Sequence, residues 1–300
     1  NKPNNDELIY TYVKLWLIIN CFFCFLQFFG IHIILSDITS LIPFFEKVYS
    51  FDSNIDFQGL RISGATYSII GFASQLGMMW FYFYYNKTHL YSKRTRFYFL
   101  TLIILLILFT QTRSLIFLLV PIIIITNALV NNKFLALIRT ASFLSLILFI
   151  LLFFKDTLLD AFPRLFLNFE DDGSIVHRIQ ANVYSSIGTF YTSPFIGVSF
   201  DDALKVMQLG YSKIKLFYGS FFIEEVTHHN QPLYYFRYYG FIGLFFLLFI
   251  YYRFLQFSKS KHKTVEDKRV IYSIIIFHFL YTLSHNNTIF TDQFLWIFLS

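Results

Sequence analysis

His228, His229 and Asn230 form a polar turn that runs directly into QPLYYFRYYGFIGLFFLLFIYYRF, an apolar stretch holding Gly240 and Gly243. Imidazole exchanges a proton near neutral pH, so a histidine at the mouth of such a helix suits a general base. Arg61, Arg113 and Arg178 stand as isolated arginines beside other apolar runs. A guanidinium fork matches phosphate oxygens with paired hydrogen bonds, so arginines gathered at a membrane surface suit a phosphate or diphosphate headgroup. Together they point to a base that activates a hydroxyl against a lipid diphosphate whose leaving charge is held by arginine. Each residue also has a plainer use. A His–His–Asn turn caps a helix at an interface, Arg113 snorkels to lipid phosphates, Arg178 is a lipid-facing charge, and the glycines let helices pack. A metal centre has little behind it. His228 and His229 are adjacent rather than one helical turn apart and have no cysteine nearby, and Glu224 and Glu225 serve equally to hold a histidine in one tautomer. No metal and no cofactor is expected. Neither G-x-x-x-x-G-K-[ST] nor G-x-G-x-x-G occurs.

The elements that would position these residues are apolar helices. The chain is 56% hydrophobic and 14% charged, with 42 Phe and 21 Tyr. A soluble domain carries about 25% charged residues, so this composition excludes one. The apolar runs are continuous rather than alternating, which excludes a membrane β-barrel. The expected fold class is all-α: a polytopic transmembrane helical bundle with one long periplasmic loop carrying amphipathic helices. About eight spans are expected, at 8–35, 66–85, 97–110, 114–130, 140–154, 232–253, 270–284 and 288–300, in a single integral-membrane domain. The pair 97–110 and 114–130 reads as a hairpin with Arg113 at its tip. Gly71 and Gly77 mark a packing face of the second span. Cys21 and Cys24, one turn apart in an apolar helix, read as packing residues. The loop is 155–229. Within it 175–192 reads as an amphipathic helix on the bilayer surface, with Ile175, Ile179, Val183 and Ile187 recurring on one face. Loops 86–96, 131–139 and 254–269 are basic, and with these spans all three fall on one side, the cytoplasmic one. Arg61, Arg113, Arg178, His229 and His285 then share the opposite, periplasmic face. The chain opens at Asn1 and stops within an apolar run, so a fragment lacking N-terminal helices is expected.

The order His229–Asn230, nine positions, Gly240, two positions, Gly243 resembles the signature of the bacterial O-antigen ligase and O-antigen polymerase family. RISGATYSIIGFASQLG is similar to the family's Arg–x–x–Gly approach to a span, with Arg61 and Gly64. LFTQTRSLIFLLV is similar to its hairpin tip, with Arg113. HRIQANVYSSIGTFYTSPFIGVSF resembles its arginine helix followed by a Pro–x–x–Gly–x–Gly turn, with Arg178, Pro194 and Gly197; here Ser199 stands where the second glycine would be. The resemblance covers about residues 55–300. It implies a metal-independent, inverting glycosyl transfer on the periplasmic face of the inner membrane, from an undecaprenyl-diphosphate-linked glycan. His229 would be the base, Asn230 would orient it or the sugar, and Arg61, Arg113 and Arg178 would hold the diphosphate. Gly64, Gly197, Gly240 and Gly243 would be the motif glycines. The bilayer and a chain-length regulator protein are the implied partners, and no nucleic acid is.

The signature does not separate a polymerase, which transfers to another lipid-linked repeat unit, from a ligase, which transfers to lipid A–core. The richness in Phe, Ile, Tyr and Asn, common in surface-polysaccharide genes, leans toward the polymerase. A transporter of lipid-linked oligosaccharide is a further class, but it calls for internal repeats and polar groups at the bilayer midplane. No repeat is visible, and the polar groups gather toward one face. A non-catalytic assembly partner is the remaining class, and it would tolerate loss of His229.

Overall fold

The computed structural model describes residues 5–29, 62, 64–65, 69–86, 91–131, 173–214, 230–258, 264–283, 295 and 298. All regular structure among the described residues is helical. The helices are α1 (Asn5–Phe28), α2 (Ile69–Tyr85), α3 (Lys93–Thr110), α4 (Arg113–Asn131), α5 (Gly173–Thr192), α6 (Ala203–Lys213), α7 (Gln231–Ser258) and α8 (Val265–Thr282). Glu7–Phe28 and Gln231–Phe257 are long and apolar enough to cross a membrane by length and composition, and Ser114–Val130 is a shorter apolar helix. The expected span 140–154 lies outside the described residues, as does 288–300 apart from Leu295 and Phe298. The chain divides into two compact units. One comprises Asn1–Phe166, Lys261–His278 and Asp292–Ser300, the other Leu167–Ser260 and Phe279–Thr291.

In the first unit α1 is built inside out relative to a soluble helix. Val13, Leu17, Asn20, Cys24 and Gln27 are buried along one stripe, while Leu15, Ile18, Phe22 and Phe25 are exposed along the other. Packing amides inward and leaving leucine and phenylalanine outward is the arrangement that lipid favours, because the bilayer gives apolar side chains no reason to hide. α2 forms the interior. Phe72, Leu76, Met79 and Phe83 are fully buried, and at Gly77 a Cβ would lie 2.3 Å from the Phe277 ring and 2.8 Å from Leu115. Gly77 therefore sets how closely α4 and α8 approach.

The break between α3 and α4 has a local cause. Gln111 takes the left-handed conformation (φ 51°) and its N–H bonds Leu108 O, which ends α3. The carbonyl of Thr112 then receives Leu115 N–H at 3.2 Å and starts α4. At its other end α3 begins earlier than the basic stretch suggested. Ser92 caps it through Thr95 N–H at 3.1 Å, so Lys93–Arg96 form its first turn rather than a loop. Arg96 is anchored there by donating to the Tyr84 carbonyl.

In the second unit α5 and α6 cross with their backbones in contact. A Cβ on Gly188 would lie 1.8 Å from Val206 O, and one on Gly210 would lie 1.9 Å from Tyr184 O. The buried face of α5 is Ala181, Tyr184, Ser185, Gly188 and Thr189. Val183 and Ile187, members of the isoleucine stripe that periodicity selects, are only half-buried. Close approach needs small residues, and only the Ala181–Ser185–Gly188 side supplies them.

Candidate functional site

Gly240 organises the second unit. Its dihedrals, φ 61° and ψ −157°, lie in a region essentially closed to residues with a side chain, and they interrupt α7. The two arms, Gln231–Tyr239 and Phe241–Ser258, fold back on each other. Gln231 and Tyr251 are 20 residues apart, roughly 30 Å along a straight helix, yet the Tyr251 hydroxyl lies 3.4 Å from Gln231 Oε1. A Cβ on Gly243 would lie 3.0 Å from Tyr235 O, a carbonyl of the other arm. The expected continuous span 232–253 is thus bent at Gly240. The second arm, about 27 Å at 1.5 Å per residue, has close to the length a bilayer core demands.

The segment after α5 splints this bend. In an unbroken helix Phe241 N–H would donate to Arg237 O and Ile242 N–H to Tyr238 O. Here Phe241 N–H donates to Pro194 O at 2.8 Å and Ile242 N–H to Phe195 O at 3.3 Å, while Arg237 O accepts Val198 N–H at 2.8 Å. Gly197, at φ 79°, lets its backbone lie against Tyr238 and Tyr239: a Cβ there would sit 2.3 Å from Tyr238 C. Two of the motif glycines are therefore two halves of one joint. Ser199 does not disturb the turn. Its hydroxyl donates to Asp202 Oδ2 at 2.9 Å and accepts Asp202 N–H at 3.3 Å, fixing the approach to α6.

Asn230 sits at the start of α7. Its Oδ1 accepts Leu233 N–H at 2.9 Å, and its Nδ2 donates to Leu283 O at 2.7 Å. It is an N-cap that also ties α7 to the residue following α8. His229 and Arg61 lie outside the described residues. Arg113 and Arg178 stand in the first turn of α4 and in α5, and only their backbone is described.

Gly64, in the first unit, adopts φ 61° in the grip of two amides from α1. Gln27 Nε2 donates to Gly64 O at 2.8 Å and Gln27 Oε1 accepts Gly64 N–H at 3.2 Å. Asn20 Oδ1 accepts Ala65 N–H at 2.8 Å. Ile62, the residue after Arg61, donates its N–H to Phe109 O at 3.3 Å, one of the carbonyls left open at the end of α3. The backbone flanking Arg61 is thereby tied to the same helix end that leads into Arg113. Arg178, Gly197, Asn230, Gly240 and Gly243 belong to the other unit.

Sequence reasoning missed Arg237. It is 0% exposed, Nη1 donates to Ser185 Oγ at 3.1 Å, and Cζ lies 5.1 Å from the centre of the Tyr238 ring. Through side chain and carbonyl it joins α5, α7 and the splinting turn. A lone arginine within an apolar run was the available signal, since an intramembrane charge costs about 2.5–3.5 kcal/mol and persists only with a purpose. Asn20 and Gln27 carried the same kind of signal in α1. Arg237→Ala is expected to destabilise the second unit by about 2–4 kcal/mol, from a charged hydrogen bond and a cavity. Arg237→Lys should recover only part of this, since it keeps the charge and loses the fork. Thermal unfolding in detergent measures both, and a wild-type midpoint for Arg237→Ala would remove the residue from this role.

Compared with known protein families, the chain matches the model of the O-antigen ligase family over residues 97–248, more than half of its 300 residues. No curated protein and no solved structure matches it.

Proposed function

The chain belongs to the O-antigen ligase family, and from that premise we propose that it transfers an undecaprenyl-diphosphate-linked glycan on the periplasmic face of the bacterial inner membrane. The observation that carries this reading is the match over residues 97–248, which takes in the His229–Asn230 motif and its two glycines. His229 takes the proton from an acceptor hydroxyl. The hydroxyl oxygen bonds to the anomeric carbon of the donor as the bond from that carbon to the diphosphate breaks, and the configuration inverts. Undecaprenyl diphosphate leaves with the electron pair, its charge held by Arg61, Arg113 and Arg178, and the proton passes from His229 to water. Neither metal nor cofactor takes part. The Asn230 cap supports this assignment, because it fixes the start of α7 at the residue that follows His229 in the sequence. The multi-pass bundle supplies the membrane setting, and a chain-length regulator is the partner that would meter the product.

Polymerisation of repeat units is the first reading, on the Phe-, Ile-, Tyr- and Asn-rich composition. Ligation to lipid A–core is the second, favoured by the description of the matching family. Gel profiling of surface polysaccharide in a strain deleted for this gene separates them. A core bearing one repeat unit, with no ladder, identifies a polymerase. A bare core, with polymer accumulating on undecaprenyl diphosphate, identifies a ligase. An unchanged ladder overturns both.

A further inference from the structure

Around the Gly240 joint the molecule exposes an aromatic tip. Phe190, Tyr191, Phe195, Ile196 and Phe200 are all exposed, Phe195 by 67% and Ile196 by 71%. From Phe190 to Phe200 there is no charged residue. Arg237 is fully buried, and Lys213 sets its Nζ 5.4 Å from the centre of the Tyr191 ring, so Tyr191 marks the polar edge of the tip. Charge resumes at once beyond the tip: Asp201 and Asp202 follow, and Lys205 pairs with Asp202 at 3.1 Å. Hydrogen bonds from Lys205 and Ser199, and the Lys205 charge, hold the exposed Asp202 carboxyl below its usual range, so this side is ionised and belongs in water.

We propose that this tip is inserted among the acyl chains of the bilayer, beside the second arm of α7, and anchors the α5–α6 pair from within the membrane rather than on its surface. The proposal rests on the integral-membrane setting of the proposed function. Three observations select lipid as the occupant. The tip is continuous with the outward face of the arm whose length comes close to that of a bilayer core, through Ile242, Phe245, Phe246 and Phe249, all exposed. The backbone of the turn is largely cared for by protein: Gly197 N–H bonds Ser193 O, Val198 N–H bonds Arg237 O, and the Pro194 and Phe195 carbonyls accept from Phe241 and Ile242. Non-helical backbone is tolerated at membrane depth only under that condition. Finally, Val183 and Ile187 keep part of the apolar stripe of α5 exposed.

The test uses the full chain in native membranes with Cys21 and Cys24 replaced by serine, carrying either Ile196→Cys or Lys205→Cys. A charged, impermeant maleimide should label position 196 at least about tenfold more slowly than position 205, because ions are excluded from hydrocarbon, and the two rates should converge in denaturant. A nitroxide at position 196 should collide with oxygen, which partitions into lipid, and not with a nickel chelate in water. Equal labelling rates would overturn the proposal. So would a nitroxide shielded from both relaxants, which would indicate a protein partner or a second copy of this chain. Phe190→Cys provides an independent site should Ile196→Cys fail to accumulate. None of these readouts involves glycan transfer. A protected tip with an unchanged polysaccharide ladder would refute the function alone, and rapid labelling with a lost ladder would refute the insertion alone.

Discussion

Replacing His229 by alanine is expected to lower glycan transfer by about 10²–10⁴-fold, the usual contribution of a positioned general base. The amount of protein in the membrane should be unchanged. The residue next to it supplies the reason for separating the two effects. Asn230 caps α7 through Leu233 N–H and binds Leu283 O, so the helix start is held without His229. Transfer is followed by the ladder formed when the variant complements a deletion strain, and membrane content by immunoblot. Asn230→Ala should behave differently, losing about 0.5–2 kcal/mol of stability with the cap and lowering transfer only as far as the helix start shifts. Retained transfer in His229→Ala would remove the base from the mechanism and move the reading toward a non-catalytic assembly partner.

Gly240→Ala is expected to disrupt the fold of the second unit. The residue occupies a backbone region that costs about 1–3 kcal/mol for any residue with a side chain. Its new Cβ would lie 2.2 Å from Phe195 C, 2.3 Å from Phe195 O and 2.6 Å from Ile196 N. These are backbone atoms, so relief requires displacing the turn and with it the three bonds that splint α7. With about 0.5–1.5 kcal/mol for each of those bonds, a loss of about 4 kcal/mol or more follows, a size reserved for specific mechanisms of this kind. Limited proteolysis at residues 193–200 and thermal unfolding should both report it. Ser199→Gly, which installs the family's second turn glycine, should stay within about 1 kcal/mol of the parent, since the two hydroxyl contacts with Asp202 that it removes are exposed and worth roughly 0.5 kcal/mol each. Wild-type stability in Gly240→Ala would mean that the joint does not hold the two arms of α7 together.

Much of this protein can be read from its sequence. Composition and continuous apolar runs point to apolar helices with membrane-spanning character, and all regular structure among the described residues is helical. The break at Gln111–Thr112 shows as a polar interruption of an apolar run too long for one helix. The motif glycines show as positions where a side chain is excluded, although spacing alone does not reveal that Gly197 and Gly240 close on each other. Three features belong to the tertiary structure. The packed face of α5 is the Ala181–Tyr184–Ser185–Gly188–Thr189 side and not the isoleucine stripe. The run from Gln231 to Ser258 is two arms folded back at Gly240 and not one rod. Arg237, Asn20 and Gln27 are interior clamps. All three have one physical origin. Hydrophobic periodicity reports which face of a helix avoids water, and in lipid that face need not be the one that meets another helix. There, contact is decided by how closely backbones approach and by which polar groups find partners. Both depend on residues far apart in the chain, so the sequence by itself determined the helices and their membrane character, and only the tertiary structure decided their contacts.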